Sequence, residues 1–213
     1  MQKHLSTYRL LACMAVVFLA GLPRVAAADE WDSCVKLSDD LAVAGCSRAI
    51  DSHQYTGRSL ARLYARRGGA YQAQGDVNRA VAEYNESMRI DPTYPAAYNN
   101  RGNTWFHRGD FDRAIADYNQ AIQLDPKYGS AYHNRGSAWG NKGDFDRAIA
   151  DYNQAIRLDP KDTKAYYNRG MAWEKKRSLQ AALADFKVHA QLAPSDPDGL
   201  TAVKRVSKEL SAR

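Results

Sequence analysis

Large and small apolar positions fall into columns that keep a spacing of 34 residues along most of the chain. Tyr64, Tyr98, Tyr132 and Tyr166 form one column, and Gly68, Gly102, Gly136 and Gly170 the next. Tyr71, Trp105, Trp139 and Trp173 follow the glycines, then Ala80, Ala114, Ala148 and Ala182, and Pro92, Pro126, Pro160 and Pro194 close each unit. Within a unit the bulky and small residues lie three, four or seven apart, which is the spacing of a narrow apolar stripe on a helix. Gly75, Gly109 and Gly143, each followed by Asp, divide the first three units into two halves. The pattern predicts helical hairpins and an all-α fold. A lone hairpin cannot bury both its stripes, so the units must stack on one another.

The copying is uneven. Gly109 to Lys127 recurs as Gly143 to Lys161 with one change in nineteen positions, Gln123 against Arg157. The eleven residues just before, Tyr98 to Arg108 and Tyr132 to Lys142, agree at only five. The second helices are therefore nearly interchangeable. The first helices have diverged, as in Asn99 against His133, Asn103 against Ser137, Phe106 against Gly140 and His107 against Asn141.

Aromatic, Gly, aromatic, Ala, aromatic and Pro at these spacings resemble the tetratricopeptide repeat, over Ala61 to Asp196. The resemblance implies a right-handed α-solenoid with units at 61–94, 95–128, 129–162 and 163–196. Residues 29–60 would be an N-terminal cap and 197–213 a C-terminal capping helix. Two departures fall in the last unit: Arg177 replaces the turn glycine, and His189 stands where Ala121 and Ala155 would pack small. Looser packing is expected there. A third departure is a column of Arg67, Arg101, Arg135 and Arg169, where the family usually places a large aliphatic residue. Sixteen residues on, each unit has an acid, Glu83, Asp117, Asp151 or Asp185. Either these form a ladder of pairs, worth roughly 0 to 1 kcal/mol each if exposed, or the arginines are simply solvated.

Residues 1–28 have another logic. Lys3 and Arg9 precede a thirteen-residue apolar run, Leu10 to Leu22, and Val25-Ala26-Ala27-Ala28 offers small residues for cleavage. This is the pattern of a secretory signal peptide, and the run falls short of the roughly 20 residues that a membrane span needs. The expected protein is exported, periplasmic or secreted, with no membrane span after cleavage. Leu10-Leu11-Ala12-Cys13 is not a lipoprotein box, because the apolar run mostly follows Cys13 instead of ending at it.

Removing the leader changes the charge picture. It carries Lys3, Arg9 and Arg24 and no acid, so 30 basic residues become 27 against 24 acidic ones, and the formal charge drops from +6 to +3. No nucleic-acid partner is expected from so even a balance. Two cysteines remain, Cys34 and Cys46, in a compartment where a pair can oxidise. Ala42 to Ile50 aligns with Ala148 to Ile156 and puts Cys46 where Tyr152 sits, so this stretch reads as the second helix of a degraded unit. Trp31 to Leu37 would be its shortened first helix, and the loop to the next unit is four residues longer than elsewhere. A Cys34–Cys46 disulfide would staple this half-repeat. At the other end, Leu200, Val203, Val206 and Leu210 recur at helical spacing, as in a helix covering the last open stripe.

No catalytic, cofactor or metal constellation is present: no His-Glu-x-x-His, no Gly-x-Ser-x-Gly, no phosphate-binding glycine loop. His107 and His133 lie eight positions apart in repeat register. That offsets them by about 12 Å along parallel helices, too far for one ion. An enzyme is not expected.

In the tetratricopeptide family the first helices line a concave groove that takes an extended peptide or a helix, and the resemblance implies a polypeptide partner here. Asn100, Asn134 and Asn168 form a ladder, with Arg66 in that place in the first unit. A side-chain amide can both donate to and accept from a peptide backbone; alternatively the asparagines only bridge neighbouring units. Around the ladder lie Arg62, Asn99, Asn103, Phe106, His107, His133, Ser137, Lys164 and Tyr167. Arg62 and Arg66 favour an acidic segment or a terminal carboxylate. Tyr98, Trp105 and Tyr118 are expected in the interhelical core, whereas Phe106 has no evident core role. Two other functions stay open: an architectural part held by its convex face or caps, and a carbohydrate binder.

Overall fold

The computed structural model of the protein describes Cys34 and residues 39–212, and among them are ten helices and no strand. The leader, and the stretch from Trp31 to Leu37 apart from Cys34, lie outside the described residues. Helix α1 spans Asp39–Asp51. Four hairpins follow: α2 (Gly57–Ala73) with α3 (Val77–Ile90), α4 (Pro95–His107) with α5 (Phe111–Leu124), α6 (Gly129–Asn141) with α7 (Phe145–Leu158), and α8 (Thr163–Lys175) with α9 (Leu179–Leu192). Helix α10, Pro197–Ser211, closes the array. None of the described helices is long and apolar enough to cross a membrane.

Turn chemistry sets the hairpins. Gly75, Gly109 and Gly143 adopt φ of 79°, 76° and 84°, which glycine reaches at no steric cost. The following Asp76, Asp110 and Asp144 cap the second helices, accepting the N–H groups of Arg79, Arg113 and Arg147. In the last unit the same turn is made by Arg177 at φ 61°, a conformation a non-glycine residue resists. Its side chain reaches Glu209 on α10 at 3.3 Å.

Each hairpin closes on one aromatic ring. Tyr84, Tyr118, Tyr152 and Phe186 are 1%, 1%, 4% and 0% exposed, and each stands against the helical glycine of its unit. A Cβ on Gly102 would lie 2.7 Å from Tyr118 Cε1, so only glycine admits the ring. Burial of each ring contributes about 2 kcal/mol. Trp105 is only partly buried, with the Arg113 guanidinium 4.0 Å above it, and Arg147 covers Trp139 at 3.7 Å. Tyr118 thus lies in the core, while Trp105 and Tyr98 rim it.

The arginine column pairs with the acids. Arg67 meets Glu83 at 2.9 Å, and Arg101, Arg135 and Arg169 meet Asp117, Asp151 and Asp185 at 2.6 Å. The last three arginines also use Nη1 to bond Asn85, Asn119 and Asn153 of the preceding second helix, each at 2.6 Å. One side chain therefore fastens its own hairpin and the hairpin before it. These acids are only 8% to 15% exposed, so the pairs are better shielded than surface ones.

The same contact explains the cap. Arg67 reaches back to Ser47 on α1, 20 residues away instead of 16, and the difference is the four extra loop residues. Cys46, 0% exposed, occupies the place of the core tyrosine, and its sulfur lies 2.01 Å from that of Cys34. Helix α2 also starts one turn earlier, relative to the repeat, than α4, α6 and α8.

The expectation of looser packing at His189 is corrected. His189 is 3% exposed and bonds the Thr163 carbonyl through Nδ1 at 3.0 Å, as Ser87 bonds the Ala61 carbonyl in the first unit. Helix α10 makes room with Gly199, whose Cβ would fall 2.5 Å from the imidazole. Val206 and Ala202, both fully buried, seal the end.

Candidate functional site

Successive first helices touch each other directly, α2 to α4, α4 to α6 and α6 to α8, while each second helix packs against the first helices on either side. The array therefore curves with the first helices inside. Two cavities open on their inner faces. One, of about 210 Å³, is lined by Arg62, Arg66, Asn100, Tyr94 and Cys34, among others. The other, of about 340 Å³, is lined by Phe106, Ser137, Asn168, Phe145, Met171 and Lys175, among others. The thirteen expected residues thus divide, with three at each cavity.

The remaining seven lie elsewhere. Asn99 does not face the groove: it is 4% exposed, donates to Asn100 Oδ1 at 3.4 Å and accepts from Asn134 Nδ2 at 3.0 Å. This corrects its expected placement, because the helix twist turns that position toward the next unit. His107 and Lys164 are exposed and line neither cavity. Tyr167 leans on Phe186 and His189, with ring centres 5.5 and 5.1 Å apart. Asn103 accepts the Tyr118 hydroxyl at 2.7 Å. In the next unit Ser137 accepts that of Tyr152 at 3.2 Å.

These hydroxyl contacts explain a column. Tyr84, Tyr118 and Tyr152 each need a polar partner at the inner face, and burial pushes all three phenols up, Tyr152 to about 12. Phe186 has no hydroxyl, and Met171 stands where Asn103 and Ser137 stand. The fourth unit can therefore present a thioether to the groove. Met171 and Lys175 do not show in the divergence between the second and third units; the same columns carried into the fourth reach both.

The asparagine ladder is partly spent inside the protein. Asn134 donates to Asn99, and Asn168 Nδ2 lies 3.3 Å from His133 Nε2. His133 Nδ1 in turn lies 3.2 Å from the carboxylate of Asp162, the N-cap of α8. Burial raises the Asp162 pKa, but the hydrogen bonds from His133 and from the Ala165 N–H outweigh it, and the net displacement is downward. Arg66 contacts the Cys34 carbonyl at 3.1 Å. The ladder both bridges units and keeps atoms for a ligand: the Asn134 and Asn168 carbonyl oxygens accept no hydrogen bond among the described residues.

Profiles of the tetratricopeptide repeat match residues 95–128 and 134–197, and a TPR repeat profile matches residues 68–107. The chain belongs to the tetratricopeptide repeat family. Solved structures share the solenoid. MamA matches at 24% identity over 73% of this chain and 89% of its own, with a TM-score of 0.63. YrrB, described as a TPR protein with an unusual peptide-binding site, matches at 19% identity over 81% of this chain and 87% of its own, with a TM-score of 0.66. The first TPR of Spaghetti (RPAP3), bound to the HSP90 peptide SRMEEVD, matches at 29% identity over 55% of this chain and 95% of its own, with a TM-score of 0.53. No curated protein sequence matches the chain.

Proposed function

We propose that this tetratricopeptide array is a non-enzymatic scaffold of the cell envelope that binds an extended polypeptide or a helix in its inner groove. One observation carries the reading: six of the first-helix residues expected at the groove, Arg62, Arg66, Asn100, Phe106, Ser137 and Asn168, line two cavities on the inner face, while the copied second helices build the outside. Peptide binding by the RPAP3 domain and by YrrB supports it. The envelope location rests on the leader-like residues 1–28, and the Cys34–Cys46 pair belongs to the same reading, since such bridges persist in oxidising compartments. Arg62 and Arg66 at one end suit an acidic stretch or a terminal carboxylate.

The test is a crosslinking pull-down from the native envelope with the Asn100→Ala, Asn134→Ala, Asn168→Ala triple variant. Capture should be lost with the helical circular dichroism retained. Undiminished capture sinks the groove. A second reading, an architectural part held by its ends, is favoured by Leu41, Leu192 and Leu200, which are 57%, 40% and 50% exposed near the two ends. In that case end-helix changes, and not groove changes, would abolish assembly.

A further inference from the structure

A polarised hydrogen-bond chain, Asp162–His133–Asn168, ends at the larger of the two inner-face cavities, which Asn168 alone of the three lines, and fixes what a ligand must bring. An ionised carboxylate only accepts hydrogen bonds, so Asp162 holds the proton of His133 on Nδ1. The Asn168 NH2 group faces Nε2 at 3.3 Å, a contact in which the amide donates and the ring nitrogen accepts. Asn168 Oδ1 is left for the cavity that this residue lines. A side-chain amide that could have faced either way is set by a residue two positions removed in the chain of bonds. His133 is specific to the third unit; Asn99 stands there in the second.

Two more features converge on the same place. Phe106, Phe145 and Met171 make an apolar wall, and Phe106 is steadied edge-on by Phe111 with ring centres 5.5 Å apart. Lys175 closes the rim, exposed and with no ion pair among the described residues. At about 340 Å³ the cavity lies at the small end of the roughly 300–1,000 Å³ range of ligand sites, so it suits a side chain and not a folded element.

Resting on the groove reading above, we infer that this cavity is an anchor subsite for an extended polypeptide. It takes one large apolar side chain whose backbone N–H is donated to Asn168 Oδ1, with a neighbouring acidic residue paired to Lys175. Asp162 and His133 are positioning residues that hold the acceptor in place.

The probe is a phage-displayed library of random peptides, selected on the full chain with the Asn100, Asn134, Asn168 triple alanine variant as counter-selection. The expected enrichment is a large apolar residue next to Asp or Glu. A synthetic peptide of that sequence should bind about tenfold more weakly when the anchor amide is N-methylated. That penalty should vanish in Asn168→Leu, a difference that a merely structural role for Asn168 would not produce. Lys175→Gln, at an exposed position, should weaken binding and flatten its salt dependence while the thermal midpoint stays unchanged. Enriched peptides without the apolar and acidic pair, or an N-methyl penalty that persists in Asn168→Leu, or affinity unchanged in Lys175→Gln, overturn the subsite while leaving the groove standing. No captured peptide, or capture insensitive to the triple variant, overturns both.

Discussion

Arg135 and Asp151 are joined by two parallel hydrogen bonds, Nε to Oδ2 at 2.8 Å and Nη2 to Oδ1 at 2.6 Å, across the two helices of one hairpin. The pair raises the Arg135 pKa, chiefly through the hydrogen bond to Asp151. The carboxylate is 8% exposed and the arginine 21%. Removing the acid strands a shielded guanidinium, so Asp151→Ala should cost about 1–3 kcal/mol. Replacing both residues, as in Arg135→Met with Asp151→Leu, should recover much of that loss. Urea denaturation of the single and double variants measures the coupling, and additive losses would show that the pair contributes nothing.

Gly102 faces the Tyr118 ring with no room for a methyl group. Gly102→Ala should lower stability by about 1–3 kcal/mol through overpacking. Adding Tyr118→Leu, which withdraws the ring edge, should make the alanine nearly harmless relative to Tyr118→Leu alone. Thermal midpoints by circular dichroism decide it, and an unchanged midpoint in Gly102→Ala would contradict the close approach.

Arg177 sits in a left-handed conformation that glycine serves in the other three units. Arg177→Gly should stabilise the protein by about 0.5–1 kcal/mol, since the backbone relief exceeds the exposed ion pair to Glu209 that is lost. A lower denaturation midpoint in this variant would refute the assignment.

The Cys34–Cys46 pair should be oxidised when the protein is kept in an oxidising compartment, and a Cys34→Ser, Cys46→Ser variant should lose about 2–3 kcal/mol. Alkylation and mass spectrometry without reductant, finding both thiols free, would rule the bridge out.

Asp76, Asp110 and Asp144 have pKa values lowered chiefly by the backbone N–H groups they cap. Depressed folded-state values mean that the caps contribute above the unfolded value of about 3.9 and lose that contribution as pH falls through the folded values. Asparagine keeps the cap without titrating. The triple Asp→Asn variant should therefore show a flatter thermal midpoint between about pH 4 and about pH 2 than the parent. Parallel acid profiles would count against the caps.

Much of this could be read from spacing alone. Column periodicity located the helices, and the sixteen-residue interval paired each arginine with its acid, because both partners sit inside one hairpin whose geometry recurs. Contacts between hairpins were less legible. Asn99 and Asn100 are adjacent, yet one is buried against the next unit and the other lines a cavity, and which is which depends on the rotation between stacked hairpins. The Asp162–His133–Asn168 chain was hidden for the same reason, since it joins residues 29 and 35 positions apart that no motif links. His189 misled because a bulky replacement can be absorbed from outside, here by Gly199.

The Nη1 bonds from Arg101, Arg135 and Arg169 all run backward, each to an asparagine of the hairpin already laid down. The array therefore has a direction, like a chain of hooks in which every link grips its predecessor. The next eye in that series is position 187, and it holds a lysine. A further hairpin carrying the same arginine would bring it against the like charge of Lys187. Extending the protein by grafting another unit ahead of α10 should succeed better once Lys187→Asn reopens the hook.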